Sequence, residues 1–198
     1  MRLILLRHGE STWNAERRMQ GTADPPLSAA GLAQAHALAP LVARLRPDAA
    51  VASDLRRASE TAEALGLDAR PDPRWREADL GRWSGRVVDE VAAADGEAYA
   101  AWLEGAGAPP GGEPFADTCR RVAEAVGGLG AGGGERPLVV THGGPIRAAC
   151  AVVASLPRSG LVAVPTGSLT EVVVPADGAG WVAAYGVSPR GPAPPAPP

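Results

Sequence analysis

A unit that occurs three times constrains the fold of this chain more than any other sequence feature. Each copy begins with a short apolar run, at residues 3–6, 49–52 and 137–141. A polar turn follows, and then a segment whose apolar residues recur with helical spacing. Uninterrupted apolar runs of this length are typical of strands buried on both faces. The alternation predicts an α/β domain, a three-layer α/β/α sandwich whose mostly parallel sheet has helices on both faces.

The helices of these units have recognisable start signals. Ser28 is predicted to cap a helix that ends before Pro47. Ser53 and Asp54 offer side-chain oxygens for the N-terminus of a second helix, near residue 55. Pro145 is typical of the first turn of a third helix, which should reach about residue 155.

The rest of the chain completes one domain. An irregular loop is predicted over 71–86 and a helix over 87–103. A Gly- and Pro-rich loop over 106–114 precedes a helix over 117–129, which the glycines of 130–134 should end. Strands at 171–174 and 181–185 are predicted to form a hairpin at one end of the sheet. We therefore predict a single domain over 1–188 and a disordered, proline-rich tail over 189–198.

Composition excludes several classes of function. The net charge is −3 and no long basic patch occurs, which argues against nucleic acid as the ligand. The apolar run after Met1 is too short for a secretory signal, so we expect a cytoplasmic protein with no membrane association. All 19 basic residues are arginine, which excludes any mechanism that needs a catalytic lysine. The spacing of Cys119 and Cys150 is not that of a metal site.

Unusual polar residues follow the predicted strands. Arg7 and His8 come after the first strand, Arg57 begins the helix after the second, and His142 follows the third. In α/β sheets of this kind ligands bind outside the carboxyl ends of the strands, so these side chains should meet in one cleft. Guanidinium groups bind phosphate oxygens with paired hydrogen bonds, and the glycines at 9, 143 and 144 allow the backbone to approach an anion. The sequence therefore predicts a phosphate pocket.

An imidazole beside such cations is suited to attack phosphorus, because the cations reduce the repulsion between nucleophile and phosphate. His8 is the expected nucleophile. The leaving alkoxide needs a proton, which a partly buried carboxyl group is suited to supply. Glu77 is the favoured donor, because tryptophans at 75 and 83 offer it apolar surroundings; Glu10 and Asp79 are the competing carboxyl groups.

The run from Leu6 to Asn14, LRHGESTWN, resembles the signature of the histidine phosphatase superfamily, also called phosphoglycerate mutase-like. Further segments agree with that family in order and spacing: Gln20-Gly21, the stretch from Ser53 to Ala58, Arg76-Glu77, Gly112-Glu113, and Thr141-His142-Gly143-Gly144. The resemblance spans about residues 2–154. Family members often have Ser in place of Pro114 and Glu in place of Ser84.

The resemblance implies a phosphohistidine enzyme. His8 would become phosphorylated, while Arg7, Arg57 and His142 hold the phosphoryl oxygens and Glu77 acts first as acid and then as base. Four further residues match substrate-binding positions of the pocket: Asn14, Gln20, Gly21 and Gly143.

The preferred hypothesis is thus a metal-independent phosphatase that acts on a small-molecule phosphate ester and needs no cofactor. The alternatives are a 2,3-bisphosphoglycerate-dependent phosphoglycerate mutase and a non-catalytic binding protein of the same fold. Similar enzymes use sugar phosphates, glucosyl-3-phosphoglycerate, α-ribazole phosphate or intermediates of specialised metabolism, and dimers are common among them. The sequence does not select one of these esters.

Overall fold

A computed structural model describes residues 1–188 of the chain; the tail predicted for 189–198 lies outside the described residues. One six-stranded sheet forms the centre. Its strands are β1 (Arg2–Arg7), β2 (Ala49–Ala52), β3 (Arg70–Pro71), β4 (Pro137–Thr141), β5 (Leu169–Val173) and β6 (Trp181–Val187), in the order β3-β2-β4-β1-β5-β6. The first four strands in that order run parallel to one another. At one edge of the sheet, β5 runs antiparallel to β1, and β6 runs antiparallel to β5. This confirms the mostly parallel sheet and the terminal hairpin.

Seven α-helices surround the sheet. They are α1 (Thr12–Ala15), α2 (Ala29–Leu45), α3 (Arg56–Ala64), α4 (Val88–Ala94), α5 (Gly96–Glu104), α6 (Phe115–Ala131) and α7 (Gly143–Ala154), and single 3₁₀ turns lie at Pro73–Trp75, Gly81–Trp83 and Arg158–Gly160. The side chain of Ser28 accepts a hydrogen bond from Gly31 N, so the predicted cap of α2 is confirmed. No helix in the described part of the chain is both long and apolar enough to cross a membrane.

Strand β1 shows why the molecule has three layers. Leu3 and Leu5 point into a core cluster that includes residues of α6 and α7, whereas Ile4 and Leu6 point into a second cluster with residues of α2 and α3. Successive side chains of a strand face opposite sides of the sheet, so an uninterrupted apolar strand fills both cores. The predicted α/β/α sandwich is therefore confirmed.

Two predicted helices differ from the structure. The segment 87–103 is not one helix, because it divides at Asp95, whose carboxylate accepts a hydrogen bond from the indole of Trp83 at 2.7 Å. The glycines near residue 130 do not stop α6 where expected, and the helix continues to Ala131. Its buried face, which includes Val122 and Val126, packs on the sheet and outweighs the low helix propensity of glycine.

A third apolar cluster lies away from the sheet. Met19, Leu80, Trp83 and Val91 are buried there, and Tyr99 and Trp102 of α5 pack against them. The loop that precedes α4 is therefore anchored by its own small core. This cluster supports one wall of the cavity described next.

Candidate active site

A cavity of about 280 Å³ opens at the carboxyl ends of the central strands. Its lining brings together eight of the nine residues that the sequence predicted for the site: Arg7, His8, Asn14, Gln20, Gly21, Arg57, Glu77 and Gly143. The ninth, His142, is fully buried, and its ring centroid lies 5.0 Å from that of His8. Strands β1 and β4 are paired neighbours, which is why the residues that follow them meet.

His8 has a defined orientation. Its backbone N–H donates to Thr141 O at 2.9 Å, and its ring Nδ1 lies 2.6 Å from the carbonyl oxygen of Gly9. A carbonyl only accepts, so Nδ1 carries the hydrogen and the neutral ring presents the lone pair of Nε2. Burial, followed by the charges of Arg57 and Arg7, holds the pKa of His8 well below its usual value of 6.5. The ring is therefore an unprotonated nucleophile at neutral pH.

Arg57 is fixed by backbone carbonyls. Its guanidinium donates to Ala23 O at 2.7 Å and to Gly21 O at 2.9 Å, and its Nε has no partner among the described residues. Gly21 has φ +55°, and a Cβ there would lie 2.9 Å from Leu80 N. Glycine is thus required at this position for conformation and for space. Burial lowers the pKa of Arg57 to about 10, so the group stays charged.

Arg7 lies at the end of β1 and donates from Nη1 to the carbonyl of Val164. Burial lowers its pKa, while the negative charge of Glu77 opposes that change. Arg7 and Arg57 both depress the pKa of His8. The two guanidiniums therefore lie in the same cavity as His8 and act on its ring.

His142 corrects one prediction about Ser53. The Oγ of Ser53 lies 2.9 Å from His142 Nε2, and the N-cap of α3 is Leu55, without a side-chain bond. The expectation that Ser53 and Asp54 cap this helix is therefore wrong. Ser53 Oγ also accepts from Leu55 N at 3.3 Å, and it keeps one lone pair and its own hydrogen, so it is able to pair with either tautomer of His142. The other ring nitrogen, Nδ1, is buried and has no partner among the described residues.

Glu77 is held by the start of α7. Gly144 N lies 3.1 Å and 3.2 Å from the two carboxyl oxygens, and Ala78 N donates to Oε1 at 2.9 Å. A Cβ at Gly144 would lie 2.1 Å from Oε1, so a glycine at this position makes room for the carboxyl group of Glu77. At Gly143 the nearest atom to an added Cβ would be 3.8 Å away, an ordinary contact.

The competing carboxyl groups point elsewhere. Glu10 accepts from the hydroxyl of Ser28 at 2.7 Å, and exposed Asp79 accepts from Gly81 N at 2.9 Å. Neither lines the cavity. Of the three candidates, Glu77 alone is positioned to protonate a leaving group there.

Asn14 and Gln20 are oriented by Ser11. The hydroxyl of Ser11 lies 3.0 Å from Asn14 Oδ1 and 2.8 Å from Gln20 Oε1. Asn14 Oδ1 also accepts from Ser11 N at 3.0 Å, so the single hydroxyl hydrogen of Ser11 is available for Gln20 Oε1. Both side chains line the cavity and keep an NH₂ group as a donor. The arrangement suits an oxygen-rich ligand.

Three arginines of the cavity lining were not among the predicted site residues: Arg18, Arg147 and Arg158. Arg18 is paired with Glu16 at 2.6 Å. Arg147 lies one helical turn beyond Gly143, a spacing that offered a signal for it. Arg158 follows no strand and belongs to no motif, so nothing local marked it.

The described residues contain no group of three or more His, Cys, Asp or Glu side chains that could hold a metal ion.

Comparisons with known proteins agree with this geometry. The sequence model of the histidine phosphatase superfamily (branch 1) matches residues 3–185. A glucosyl-3-phosphoglycerate phosphatase of Mycolicibacterium vanbaalenii is 44% identical over 169 residues, which cover 79% of this chain and 75% of that protein. A probable phosphoglycerate mutase of an Enterobacter species is 37% identical over 164 residues, covering 79% and 76%.

A solved structure extends the similarity to three dimensions. The mycobacterial glucosyl-3-phosphoglycerate phosphatase in complex with VO3 superposes with a TM-score of 0.82 at 39% identity. The match covers 87% of this chain and 92% of that one. The sheet and helices are therefore arranged as in a phosphatase of known structure.

Proposed function

The chain belongs to branch 1 of the histidine phosphatase superfamily, and on that premise we propose that it hydrolyses a small-molecule phosphate monoester through a phosphohistidine at His8. Phosphatase activity accords with the family and with the similar relatives named above. The observation that carries the proposal is the orientation of His8. Its Nδ1–H is held by Gly9 O, so the lone pair of Nε2 is available between two guanidiniums.

In the first step, Nε2 of His8 attacks phosphorus and the bond between phosphorus and the ester oxygen breaks. The leaving oxygen takes a proton from the carboxyl group of Glu77, which becomes a carboxylate. The guanidiniums of Arg7 and Arg57 and the Nδ1–H of His142 donate to the phosphoryl oxygens. Donors fixed in advance stabilise the charge of the transition state without reorganising.

In the second step, water attacks the phosphorus of phosphohistidine. Glu77 accepts a proton from the water, the bond between Nε2 and phosphorus breaks, and inorganic phosphate leaves. His8 returns to its neutral form with Nδ1–H still on the Gly9 carbonyl. Neither step consumes a metal ion or a cofactor, so we propose a metal-independent enzyme.

The first ester to test is glucosyl-3-phosphoglycerate, because a relative in sequence and a relative in fold are both phosphatases named for it. The single domain over 1–188, the cytoplasmic location, the absence of nucleic-acid binding and a homodimer remain predictions from the sequence.

The test is phosphate release in the presence of EDTA, from a panel of esters, by the wild type and by His8→Ala. Removal of the nucleophile should lower release roughly a thousandfold or more. Exposed His36 offers a matched control, and His36→Ala should retain full activity. Mass analysis of protein quenched in alkali should find one added phosphoryl group on the peptide that contains His8.

The same experiment separates the alternatives. A mutase returns the phosphoryl group to its substrate, so a phosphorylated His8 without accumulation of inorganic phosphate would contradict hydrolysis. The similarity to a probable phosphoglycerate mutase makes that comparison necessary. No release and no phosphohistidine with any ester would favour the non-catalytic protein.

A further inference from the structure

Two arginines of the cavity have no protein partner that balances their charge. Arg147 lies on α7, and Arg158 lies in the 3₁₀ turn that follows it. Within residues 1–188, neither side chain forms an ion pair or a hydrogen bond. Arg158 is only 6% exposed, and its Nε and Nη2 are buried without a partner, as is Nε of Arg147. A buried cation without an anion is costly, so such groups usually have a partner when the protein is at work.

Aromatic rings hold Arg158 in place without neutralising it. The carbon of its guanidinium lies 4.6 Å from the ring centroid of Trp102 and 4.9 Å from that of Phe115. Stacking on two rings fixes the plane of the group and leaves its N–H donors free. Phe115, Trp102, Arg147 and Arg158 line the same cavity as His8. The donors are thus pre-organised inside the cavity that would receive the substrate.

The cavity holds more cations than anions. Glu77 is the only carboxyl group among the described lining residues. Its charge acts on Arg158, and also on Arg7 and Arg57, and it forms no ion pair with any of the three. Burial and then the charge of Arg147 lower the pKa of Arg158 to about 10. Arg147 and Arg158 therefore have no paired anion among the described residues.

We propose that Arg147 and Arg158 form a second anion subsite that binds an acidic group of the substrate, a carboxylate or a further phosphate, while the scissile phosphoryl group lies at His8. This inference rests on the proposed phosphatase function and narrows its substrates. They are phosphate monoesters that carry a second acidic group within the reach of one small molecule. The hydroxyl of Tyr99, which lines the same wall and has no hydrogen bond to the described residues, supplies a further donor.

Matched pairs of esters test the subsite. Glycerol 3-phosphate differs from 3-phosphoglycerate only by an alcohol in place of the carboxylate. Fructose 6-phosphate differs from fructose 1,6-bisphosphate by one phosphate. The ratio of kcat/KM within each pair is measured for the wild type and for Arg147→Gln and Arg158→Met. Methionine is chosen for position 158 because it keeps apolar contact with the two aromatic rings, so that the variant is not unfolded by a loss of packing.

The wild type should prefer the acidic member of at least one pair. Each variant should lower kcat/KM for that member roughly tenfold to a hundredfold, which is the loss expected for a charge-assisted pair. The kcat/KM for the member that lacks the second acidic group should not change. A preference confined to the first pair identifies a carboxylate, and one confined to the second identifies a phosphate. Arg18→Gln is the matched control, because Arg18 lines the cavity but is already paired with Glu16, and it should not change the ratios.

Equal losses on both members of each pair would overturn the subsite, as would a wild type without preference. Failure of the phosphatase function is distinguishable from these outcomes, because binding is measured separately by calorimetry. An inactive wild type that binds 3-phosphoglycerate more tightly than glycerol 3-phosphate, with the difference lost in Arg147→Gln, would support the subsite and reject the hydrolase. Absence of that difference in binding would reject the subsite.

Discussion

At the scale of single residues, each site histidine has one ring nitrogen bound to the protein. His8 is bound to a carbonyl, which permits only one tautomer. His142 is bound to the hydroxyl of Ser53, which is itself oriented by Leu55 N. The orientation of the His142 ring therefore depends on a serine that does not line the cavity.

Removing that hydroxyl should weaken the hold on the phosphoryl group. Ser53→Ala leaves His142 without its orienting partner, and we expect kcat/KM to fall roughly tenfold, the value of one buried hydrogen bond. Ser59→Ala, on the exposed surface of α3, is the control and should behave as the wild type. Unchanged kinetics in Ser53→Ala would show that His142 keeps its orientation without the serine.

A methyl group at position 144 should displace the proton donor. Because its Cβ would lie 2.1 Å from Glu77 Oε1, Gly144→Ala should lower kcat roughly a hundredfold or more for alkyl phosphates, which need a protonated leaving group. The loss should be much smaller for p-nitrophenyl phosphate, whose leaving group departs as an anion. Gly127→Ala, with open space around an added Cβ in α6, is the control. Equal losses for both kinds of ester would contradict the role of Glu77.

The position of a residue after a strand decided how well it could be predicted. Arg7 ends β1, and His8 and His142 directly follow β1 and β4. Their place in the sequence was therefore enough to predict that they lie close together. Ser53 also follows a strand, but its partner His142 is 89 residues away, and a local cap was the simpler interpretation. The place of Arg158 in the cavity could not be predicted, because it depends on two aromatic rings that other helices contribute.

At the scale of elements, helix α6 fixes the loop that carries Glu77. Arg121 of α6 donates to the carbonyl oxygens of Arg74 and Arg76, both at 2.7 Å, and binds Glu113 with two bonds of 2.7 Å and 2.9 Å. Both partners of this ion pair are about one fifth exposed. The clamp connects three segments that the sequence analysis treated as separate.

Breaking the clamp should affect stability and activity together. Arg121→Ala leaves two carbonyl groups and a carboxylate without their donor, and the free energy of unfolding should fall by about 1–3 kcal/mol. Activity on alkyl phosphates should also fall, because the loop around Glu77 loosens. The neighbouring Arg120 forms an exposed pair with Asp117, so Arg120→Ala should change stability by less than about 0.5 kcal/mol. Urea unfolding of the two variants gives the comparison, and similar midpoints would refute the clamp.

The type of an element could be predicted where apolar residues recur with helical spacing over a long segment. The residues at which such an element ends could not. The break at Asp95 between α4 and α5 depends on the indole of Trp83, which is not a neighbour in sequence. The continuation of α6 through glycines depends on its packing against the sheet. In both places a tertiary contact outweighs local propensity.

At the scale of the whole molecule, two buried neutral histidines make stability depend on pH. The pKa values of His8 and His142 are both well below 6.5, chiefly because of burial. Below that pH the unfolded chain binds protons that the folded chain does not. Stability is therefore complete above pH 6.5 and is lost as the pH falls, by about 1.4 kcal/mol per pH unit for each histidine.

Urea unfolding between pH 7.5 and 5.5 measures this dependence. His142→Gln should flatten the slope relative to the wild type, while His36→Gln, on the exposed surface, should leave it unchanged. The carboxylates that titrate over the same pH range contribute equally in all three proteins. The difference in slope between the variants therefore reports the contribution of His142 alone. Parallel slopes for all three proteins would contradict neutral burial of His142.

The central position of β1 has a consequence for how the molecule opens. Its amides lie between β4 and β5, and its side chains fill both cores, so they should be among the last to undergo hydrogen exchange. Helix α5 has no fully buried residue and should exchange early. It carries Trp102, one of the two rings that hold Arg158. The cavity wall that holds Arg158 should therefore open locally and often, while His8 directly follows a strand that should open last.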